Sequence, residues 1–295
     1  LANYAKRNIE EAKCSYKISQ RLIGIYSYVL GTFSGVLITL VLIKLVQYDN
    51  LLKETTHPAL IDLSLPTTSS IVDLQHEVRI LCFVLTYPIN HLTKAQAVAN
   101  TWGKRCNKLV FISSESNENF DVITVNVTEE HHRYLWGKTK QGMQQIYELY
   151  GNDFDWFLKA DDDTWIFMEN LRHFLFSYSP SFPIYFGCKL KPYVRQGYMS
   201  GSAYVLSREA LRRFNEEALT DDYKCWNGTE GNEDVEVGKC LQNVGVLAGD
   251  SRDEFNRFRF LPFTPEGHLR NLFGKSWLDN ASYYEVKHVS SFNYN

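Results

Sequence analysis

The chain has 295 residues, of which 44% are hydrophobic and 22% are charged, and its formal net charge is −3. These values are typical of a globular protein and exclude a collagen-like or largely disordered chain. Six cysteines are too few for a small domain that disulfides alone hold together. The near-neutral charge indicates no nucleic-acid partner, because a protein that binds a polyanion ordinarily has an excess of basic residues.

The first element along the chain is an apolar segment at residues 22–43, which contains no charged side chain. A helix of that length spans roughly 33 Å, enough to cross the hydrocarbon core of a bilayer. Lysine and arginine are frequent just before the segment, so the N-terminus is expected to be cytoplasmic. We therefore predict a single-pass type II membrane protein. It has a cytoplasmic tail at 1–21, a signal-anchor helix at 22–43, a lumenal stem at 44–76 and a folded lumenal domain at 77–295.

Two further features fit an exported domain. N-glycosylation sequons begin at Asn126, Asn227 and Asn280, and all three lie in the part predicted to be lumenal. That part also contains five cysteines, and disulfides form in the oxidising compartments of the secretory pathway.

From residue 78 onward, apolar strand-like runs alternate with segments of helical periodicity. The predicted strands are Val78–Thr86, Lys108–Ser113, Val122–Val127, Asp155–Ala160, Ile184–Gly187 and Ser202–Leu206. The predicted helices are Lys94–Trp102, Trp136–Tyr150, Asn170–Tyr178, a segment capped by Ser207 that runs to Phe214, and Glu233–Val244. This alternation predicts an α/β fold with a mainly parallel sheet and helices on both faces. In such folds, ligands bind beyond the carboxyl ends of the strands.

Three adjacent acidic residues, Asp161, Asp162 and Asp163, directly follow the predicted strand at 155–160. Two like charges about 4 Å apart repel by on the order of 4 kcal/mol at an effective dielectric constant of 20. We therefore expect a cation at this strand end, and carboxylate oxygens favour Mg²⁺ or Mn²⁺. Such an ion keeps positions open for diphosphate oxygens, and in a lumenal protein the expected diphosphate is a nucleotide-sugar. The alternative interpretation of the triplet is an acidic surface turn.

Longer stretches around this triplet resemble one enzyme family. The main stretches are WFLKADDDTWIFMENLRHFL (156–175), YFGCKLKPYVRQGYMSG (185–201) and EDVEVGKCLQNVGVLAGDSRD (233–253), and shorter ones lie at 79–88, 100–115 and 135–142. In order and spacing, these stretches resemble those of animal core 1 β1,3-galactosyltransferases. The resemblance implies a GT-A, Rossmann-like domain that uses Mn²⁺. It implies transfer of galactose from UDP-galactose to the 3-hydroxyl of GalNAc on Ser or Thr of glycoproteins. It also implies residence in the Golgi membrane, and relatives can form homodimers.

The resemblance also assigns roles to individual residues. Asp161 and Asp163 match the motif that holds ribose and metal, with Asp163 as the direct metal ligand. The implied nucleotide-sugar contacts are Thr86, Arg105, Lys138, Asp161 and Asp162. The stretch near the acceptor sugar contains Tyr193, Gln196, Tyr198, Met199, Ser200 and Gly201.

Asp234 matches the catalytic base of related β1,3-transferases. An inverting transfer needs such a base, because the acceptor hydroxyl is a weak acid and must lose its proton as the transition state forms. The alternative interpretation of Glu233 and Asp234 is a pair of acids that compensate the dipole of a helix N-terminus. Both interpretations can hold together.

At three places the sequence departs from the family pattern. The family's glycine-rich turn after Met199 has one residue more than this chain. Asn293 stands where the family has a metal-binding histidine, and an amide oxygen is a weaker Mn²⁺ ligand than imidazole. The adjacent cysteines of the family are absent near this place, where His288 is a candidate substitute ligand. Two other functions therefore stay open: a weakened paralogue that acts as a folding partner of the transferase, and a β1,3-transferase with another donor or acceptor.

The lumenal cysteines are predicted to form two disulfides. Cys82 lies in a strand and Cys106 follows the next helix, so both can lie at one edge of the sheet. Cys225 and Cys240 close a loop of about 16 residues, which the chain-entropy model values at about 3 kcal/mol. The resemblance implies that Cys188 lacks its partner, because the family's adjacent cysteines are absent, and Cys188 is therefore the expected leftover thiol.

Overall fold

The computed structural model describes residues 73–270 and 275–285. The predicted tail, the anchor segment at 22–43 and the stem up to residue 72 lie outside these ranges, as do Asn293 and His288. Within these two ranges, no helix combines the length and the apolar character that crossing a bilayer requires. The predicted tail, anchor and stem therefore remain predictions.

A seven-stranded mixed sheet forms the centre of the described domain. Its strands are β1 (Ile80–Leu85), β2 (Lys108–Ser113), β3 (Val122–Thr124), β4 (Trp156–Asp161), β5 (Ile184–Leu190), β6 (Tyr198–Ser207) and β7 (Leu247–Ala248). The order across the sheet is β3-β2-β1-β4-β6-β5-β7.

The sheet is mainly parallel, as predicted, because six of the seven strands run in one direction and only β6 runs in the other. β6 runs antiparallel to both of its neighbours, β4 and β5, whereas the other neighbouring strands are parallel. Only residues 191–197 connect β5 to β6. A connection that short permits a hairpin but not the crossover of a dozen or more residues that joins parallel strands.

Along the chain, eight described α-helices precede, separate and follow the strands. They are α1 (Leu74–Glu77), α2 (Gln96–Asn100), α3 (Leu135–Tyr150), α4 (Met168–Leu175), α5 (Arg208–Arg213), α6 (Glu233–Asn243), α7 (Pro265–Leu269) and α8 (Lys275–Ala281). The helix predicted at 94–102 is divided, because the backbone at Thr101 leaves the helical region and α2 ends there. A π-helical turn at His91–Ala95 precedes α2, and a 3-10 turn follows it at Trp102–Arg105. Ser207 caps α5 as predicted, since its Oγ accepts the amide of Ala210 at 3.0 Å.

Apolar clusters cover both faces of the sheet. The odd-numbered residues of β1 pack in one cluster with Trp136 and Met143 of α3. Its even-numbered residues pack in the other cluster with Val98 of α2 and Leu171 of α4. Successive side chains of a strand point to opposite faces, so a strand covered on both sides is apolar over nearly its whole length. The continuous apolar run that predicted β1 has this cause.

Both predicted cysteine pairs lie at disulfide-bonding distance. The sulfur atoms are 2.01 Å apart in Cys82–Cys106 and 1.99 Å apart in Cys225–Cys240. Cys188 is free and buried in β5, as predicted. Burial raises the pKa of its thiol to about 12.

Cys188 is expected to resist alkylation in the folded protein. The thiolate is the reactive form, and the buried thiol of Cys188 is neither ionised nor accessible near pH 8. Peptide mapping after N-ethylmaleimide treatment should find Cys188 unmodified in native protein and labelled after unfolding without reductant. Labelling of native protein, or a bridge from Cys188 to Cys225 or Cys240, would contradict this prediction.

Candidate active site

The acidic triplet lies at one edge of the sheet, where β1 and β4 end. Leu85, the last residue of β1, pairs with Asp161, the last residue of β4. Because β6 is antiparallel to β4, its first residues rather than its last ones lie at this edge. The N-terminus of α6 joins them, since α6 packs on β6. The candidate site therefore lies where β1 and β4 end and where β6 and α6 begin.

Asp162 is the buried member of the triplet, with 9% of its surface exposed. Its Oδ2 accepts hydrogen bonds from Thr86 Oγ1 at 2.8 Å and from Asn90 Nδ2 at 2.9 Å. These two donors tie the end of β4 to the segment after β1. Asp162 therefore fixes the end of β4 against the segment after β1, and Thr86 takes part in the site by donating a hydrogen bond to Asp162.

Two lysines compensate the charge of the triplet. Lys94 Nζ lies 3.0 Å from Asp163 Oδ2 and 3.5 Å from Asp162 Oδ1. Lys159 Nζ lies 2.7 Å from Asp161 Oδ1. Protein ammonium groups therefore lie beside all three carboxylates and supply part of the positive charge that the sequence led us to expect at this strand end.

Replacing Lys94 is expected to tighten metal binding. Lys94 competes with any cation for Asp163, and an exposed ion pair of this kind is worth up to about 1 kcal/mol. We expect Lys94→Gln to bind Mn²⁺ about two- to fivefold more tightly in titration calorimetry without nucleotide. Lys104→Gln is the matched control, because Lys104 is an exposed lysine of the following 3-10 turn. Unchanged or weaker Mn²⁺ affinity in Lys94→Gln would show that Lys94 does not compete at this position.

Lys138 is buried behind the end of β1. Its Nζ donates to the backbone oxygen of Thr86 and lies 2.7 Å from Glu130 Oε2. Burial lowers the pKa of Lys138, and Glu130 opposes that shift. The ammonium also lies 4.6 Å from the centre of the Tyr87 ring. The structure thus places two of the predicted nucleotide contacts, Thr86 and Lys138, together.

Arg105 is the predicted nucleotide contact that the structure does not bring to this cluster. Its guanidinium pairs with Glu169 of α4 at 3.0 Å, and both side chains are largely exposed. Its backbone oxygen accepts a hydrogen bond from Arg172, which also donates to the backbone oxygen of Val78, just before β1. The Arg105 backbone therefore lies near the beginning of β1, whereas the aspartates lie near its end.

A buried polar cluster of Lys159, Glu233 and Tyr204 connects the triplet to α6. Lys159 Nζ lies 3.9 Å from Glu233 Oε2, and the Tyr204 hydroxyl donates to Glu233 Oε1 at 2.5 Å. Burial raises the pKa of Glu233 to about 7. Burial also favours the neutral form of Lys159, but Asp161 and Glu233 outweigh it, so the pKa of Lys159 is raised.

Asp234 lies in the first turn of α6 and is half-buried. Its Oδ1 accepts the amide of Val235 at 2.8 Å. Burial raises the pKa of Asp234, while hydrogen bonds from the backbone of Val235 and Gly201 oppose the shift. A carboxylate whose pKa is raised in this way is a stronger base than an ordinary aspartate.

The predicted acceptor stretch divides into residues with structural partners and residues near the site. The Gln196 side chain donates to the backbone oxygen of Val246 and accepts the amide of Ala248. Met199 is buried in the core. Tyr198 is also buried, whereas Tyr193 is exposed in the connection between β5 and β6. Ser200 and Gly201 lie in β6 at the site edge, and a Cβ on Gly201 would come 3.9 Å from Asp234 Oδ2.

Sequence reasoning missed Asn90, Lys94, Lys159, Glu130 and Tyr204, and gave Glu233 only a helix-dipole role. One signal was available: Lys159 is a charged residue among the apolar residues 156–160 of β4, and a buried charge requires a partner. Asn90 and Lys94 gave no such signal, because they are polar residues in two short helical turns, a 3-10 turn and a π-helical turn.

Asp161 and Asp163 carry the oxygen donors that suit Mg²⁺ or Mn²⁺. Over the ranges 73–270 and 275–285, no group of three or more His, Cys, Asp or Glu side chains is arranged to hold a metal ion. A site of one or two carboxylates completed by phosphate oxygens and water fits this donor set. The predicted ligand Asn293 lies outside the described residues, so its role remains a prediction.

Comparisons with known proteins identify the family of this chain. Residues 76–252 match the Fringe-like family. The chain belongs to the Fringe-like family. This Fringe-like chain is also 46% identical to glycoprotein-N-acetylgalactosamine 3-beta-galactosyltransferase 1 of Xenopus laevis over 214 residues, which confirms the predicted resemblance. The matched region covers 72% of this chain and 58% of that protein.

Two more distant similarities involve other glycosyltransferases. A beta-1,3-glucosyltransferase of Mus musculus is 25% identical over 160 residues, which cover 53% of this Fringe-like chain and 32% of the mouse protein. A solved glycosyltransferase involved in glycosylation of the major capsid of PBCV-1 is 15% identical, with a TM-score of 0.31 over 48% of this chain and 69% of that one. A TM-score this low does not support a fold assignment.

Proposed function

We propose that this Fringe-like protein is an inverting glycosyltransferase. It moves galactose from UDP-galactose to the 3-hydroxyl of GalNAc on Ser or Thr of glycoproteins. The observation that carries the proposal is the meeting of the acidic triplet and Asp234 at one edge of the sheet, with Lys159 between them. The 46% identity to the Xenopus laevis galactosyltransferase supports the choice of donor and acceptor.

On the acceptor side, Asp234 takes the proton of the GalNAc 3-hydroxyl. The hydroxyl oxygen then attacks C1 of galactose on the face opposite the diphosphate, and the bond from C1 to the diphosphate oxygen breaks. This displacement inverts the configuration at C1. The half-buried position of Asp234 suits the role, because burial raises its pKa while the backbone around it keeps the carboxylate oriented.

On the donor side, the nucleotide lies at the ends of β1 and β4 in a GT-A arrangement. Thr86 and Lys138 line the nucleotide site. Asp162 holds Thr86 through a hydrogen bond, and Lys138 donates to the backbone oxygen of Thr86. Asp161 and Asp163 would hold Mn²⁺, which neutralises charge on the departing diphosphate when bound. The protein's own part is to hold these carboxylates in position.

The proposed location is the Golgi membrane, with the described domain in the lumen. Asn126, Asn227 and Asn280 are all exposed, which sequon glycosylation requires. The two cysteine pairs at bonding distance also fit an oxidising compartment. The single-pass anchor at 22–43 and a homodimer remain predictions.

The direct test is a transfer assay on the 295-residue chain purified in detergent. We expect galactose transfer from UDP-galactose to a GalNAc-bearing peptide in the presence of Mn²⁺, with a product that a β1,3-specific galactosidase cleaves. Matched reactions contain UDP-glucose, UDP-N-acetylglucosamine or EDTA. Efficient transfer from another donor would assign a different β1,3-transferase.

The second candidate function is a folding partner of the transferase. Asn293 and the absence of the family's adjacent cysteines favour it, because both changes fall where the family holds its metal. This function predicts no product with any divalent metal while UDP binding is retained. That pair of results would overturn the enzymatic proposal.

A further inference from the structure

Lys159 lies between the two halves of the proposed site. It belongs to β4, and its side chain is 1% exposed. Its ammonium lies 2.7 Å from Asp161 Oδ1 and 3.9 Å from Glu233 Oε2, and it also donates to the backbone oxygen of Gly201. One cation therefore joins the end of β4, the start of β6 and the start of α6.

Glu233 is held on its other side by Tyr204. Its Oε1 accepts the Tyr204 hydroxyl at 2.5 Å, and Tyr204 is fully buried directly opposite Lys159 in the β4–β6 pairing. Both oxygens of Glu233 thus face fixed partners, and the residue that follows it is Asp234. Any shift of Glu233 moves the first turn of α6 and the candidate base with it.

Gly201 allows the three elements to come this close. A Cβ at this position would lie 3.1 Å from Glu233 Oε2, closer than side chains ordinarily pack. The backbone of Gly201 serves both sides of the site, because its oxygen accepts from Lys159 and its amide faces the Asp234 carboxylate. The acceptor stretch, the base and Lys159 are therefore connected through one residue.

Because these charges are buried, each of them depends on its charged partners. A buried ion is stable only where partners replace the water that it has lost, so removal of one member leaves the others uncompensated. Lys159 is the only ammonium that the described structure places against both Asp161 and Glu233. No other described cation can take its place without rearrangement of the strand ends.

We propose that Lys159 is a positioning residue that holds the donor-site carboxylate Asp161 and the first turn of α6, and hence the base Asp234, at a fixed separation. This inference rests on the proposed function, because it assigns Lys159 a task in sugar transfer. Lys159 touches neither substrate. It acts by aligning the group that takes the acceptor proton with the groups that hold the donor.

The kinetic test compares Lys159→Met with Lys189→Met. Lys189 is a suitable control because it is also a buried lysine of the sheet, in β5, and its ammonium hydrogen-bonds to the backbone oxygen of Ala248. We expect Lys159→Met to lower kcat on the order of 100-fold, the loss that a misplacement of about 1 Å causes. Lys189→Met should retain the wild-type kcat once the folded fraction is matched.

Glu233→Gln separates positioning from donor binding. The amide still accepts the Tyr204 hydroxyl but no longer attracts Lys159, so we expect kcat to fall about tenfold while KM for UDP-galactose stays within about twofold. In the double variant Lys159→Met/Glu233→Gln, thermal stability should recover relative to Lys159→Met while kcat stays low. Recovery of both would mean that Lys159 acts only on stability, and it would overturn the proposal.

Hydrogen exchange tests the same inference without any turnover. In Lys159→Met, amides of residues 200–202 and 233–236 should exchange about tenfold faster than in wild type, and Lys189→Met should leave them unchanged. Unchanged exchange at 233–236 in a folded Lys159→Met protein would overturn the inference. If wild type transfers no sugar, the proposed function fails, and accelerated exchange still shows that Lys159 holds the two elements together.

Discussion

Asp163→Ala is expected to remove the Mn²⁺-dependent part of UDP affinity and to leave the fold intact. The Asp163 side chain is 65% exposed and its partner Lys94 is 45% exposed, so the substitution leaves no buried group without a partner. Changing a residue that merely supports a metal ligand costs about 10–100-fold in metal affinity, and loss of the ligand should cost at least as much. Titration calorimetry of UDP with and without Mn²⁺ measures the difference.

Two other variants make this result specific. Glu148→Ala removes an exposed carboxylate from α3, away from the site, and should leave the metal-dependent affinity unchanged. Asp162→Ala should instead destabilise the protein by about 1–3 kcal/mol, because Thr86 and Asn90 would lose their acceptor. Asp163→Ala protein with wild-type Mn²⁺-dependent affinity would refute the assignment of Asp163 as the metal ligand.

Asp234→Asn is expected to lower kcat for transfer by about 10²–10⁴-fold while UDP affinity stays within about twofold. The amide can still accept the backbone hydrogen bond from Val235, so the first turn of α6 should persist. The lost negative charge prevents removal of the acceptor proton. Single-turnover transfer and UDP titration on the same preparation separate the two effects.

The pH dependence of the wild-type protein should report the same group. Burial raises the pKa of Asp234, so activity should be lost as pH falls through a value above that of an ordinary aspartate. Glu236→Gln is the control on the same helix, since Glu236 pairs with Lys239 rather than with the site. An Asp234→Asn protein that retains wild-type kcat would show that another group accepts the proton.

Much of the fold was predictable because local patterns determine it. β1 could be recognised because it is covered on both faces and all six of its residues are apolar, and α5 began where Ser207 supplies a cap. The two cysteine pairs were predicted from the expected position of Cys82 and Cys106 at one edge of the sheet and from the short loop between Cys225 and Cys240. The strand and the helix cap could be predicted from local sequence alone, without knowing which elements are neighbours in space.

The direction of β6 was less predictable, and it changes the composition of the site. The stretch at 198–201 was identified as part of an acceptor region, but its place in a strand was not recognised. Because β6 is antiparallel, this stretch begins at the edge where β4 ends. A parallel β6 would have placed the opposite end of the strand beside the aspartates.

The sequence by itself determined the acidic triplet, the Glu233–Asp234 pair, the apolar strands and the family to which the chain belongs. Only the tertiary structure decided which cations compensate the aspartates. Lys94 is 69 residues from Asp163, and Glu233 is 74 residues from Lys159. Pairings at such separations depend on strand order and burial, which place side chains within a few ångströms regardless of their distance along the chain. Charge repulsion in the sequence indicated that a cation was needed, and the fold supplied lysines where a metal alone was expected.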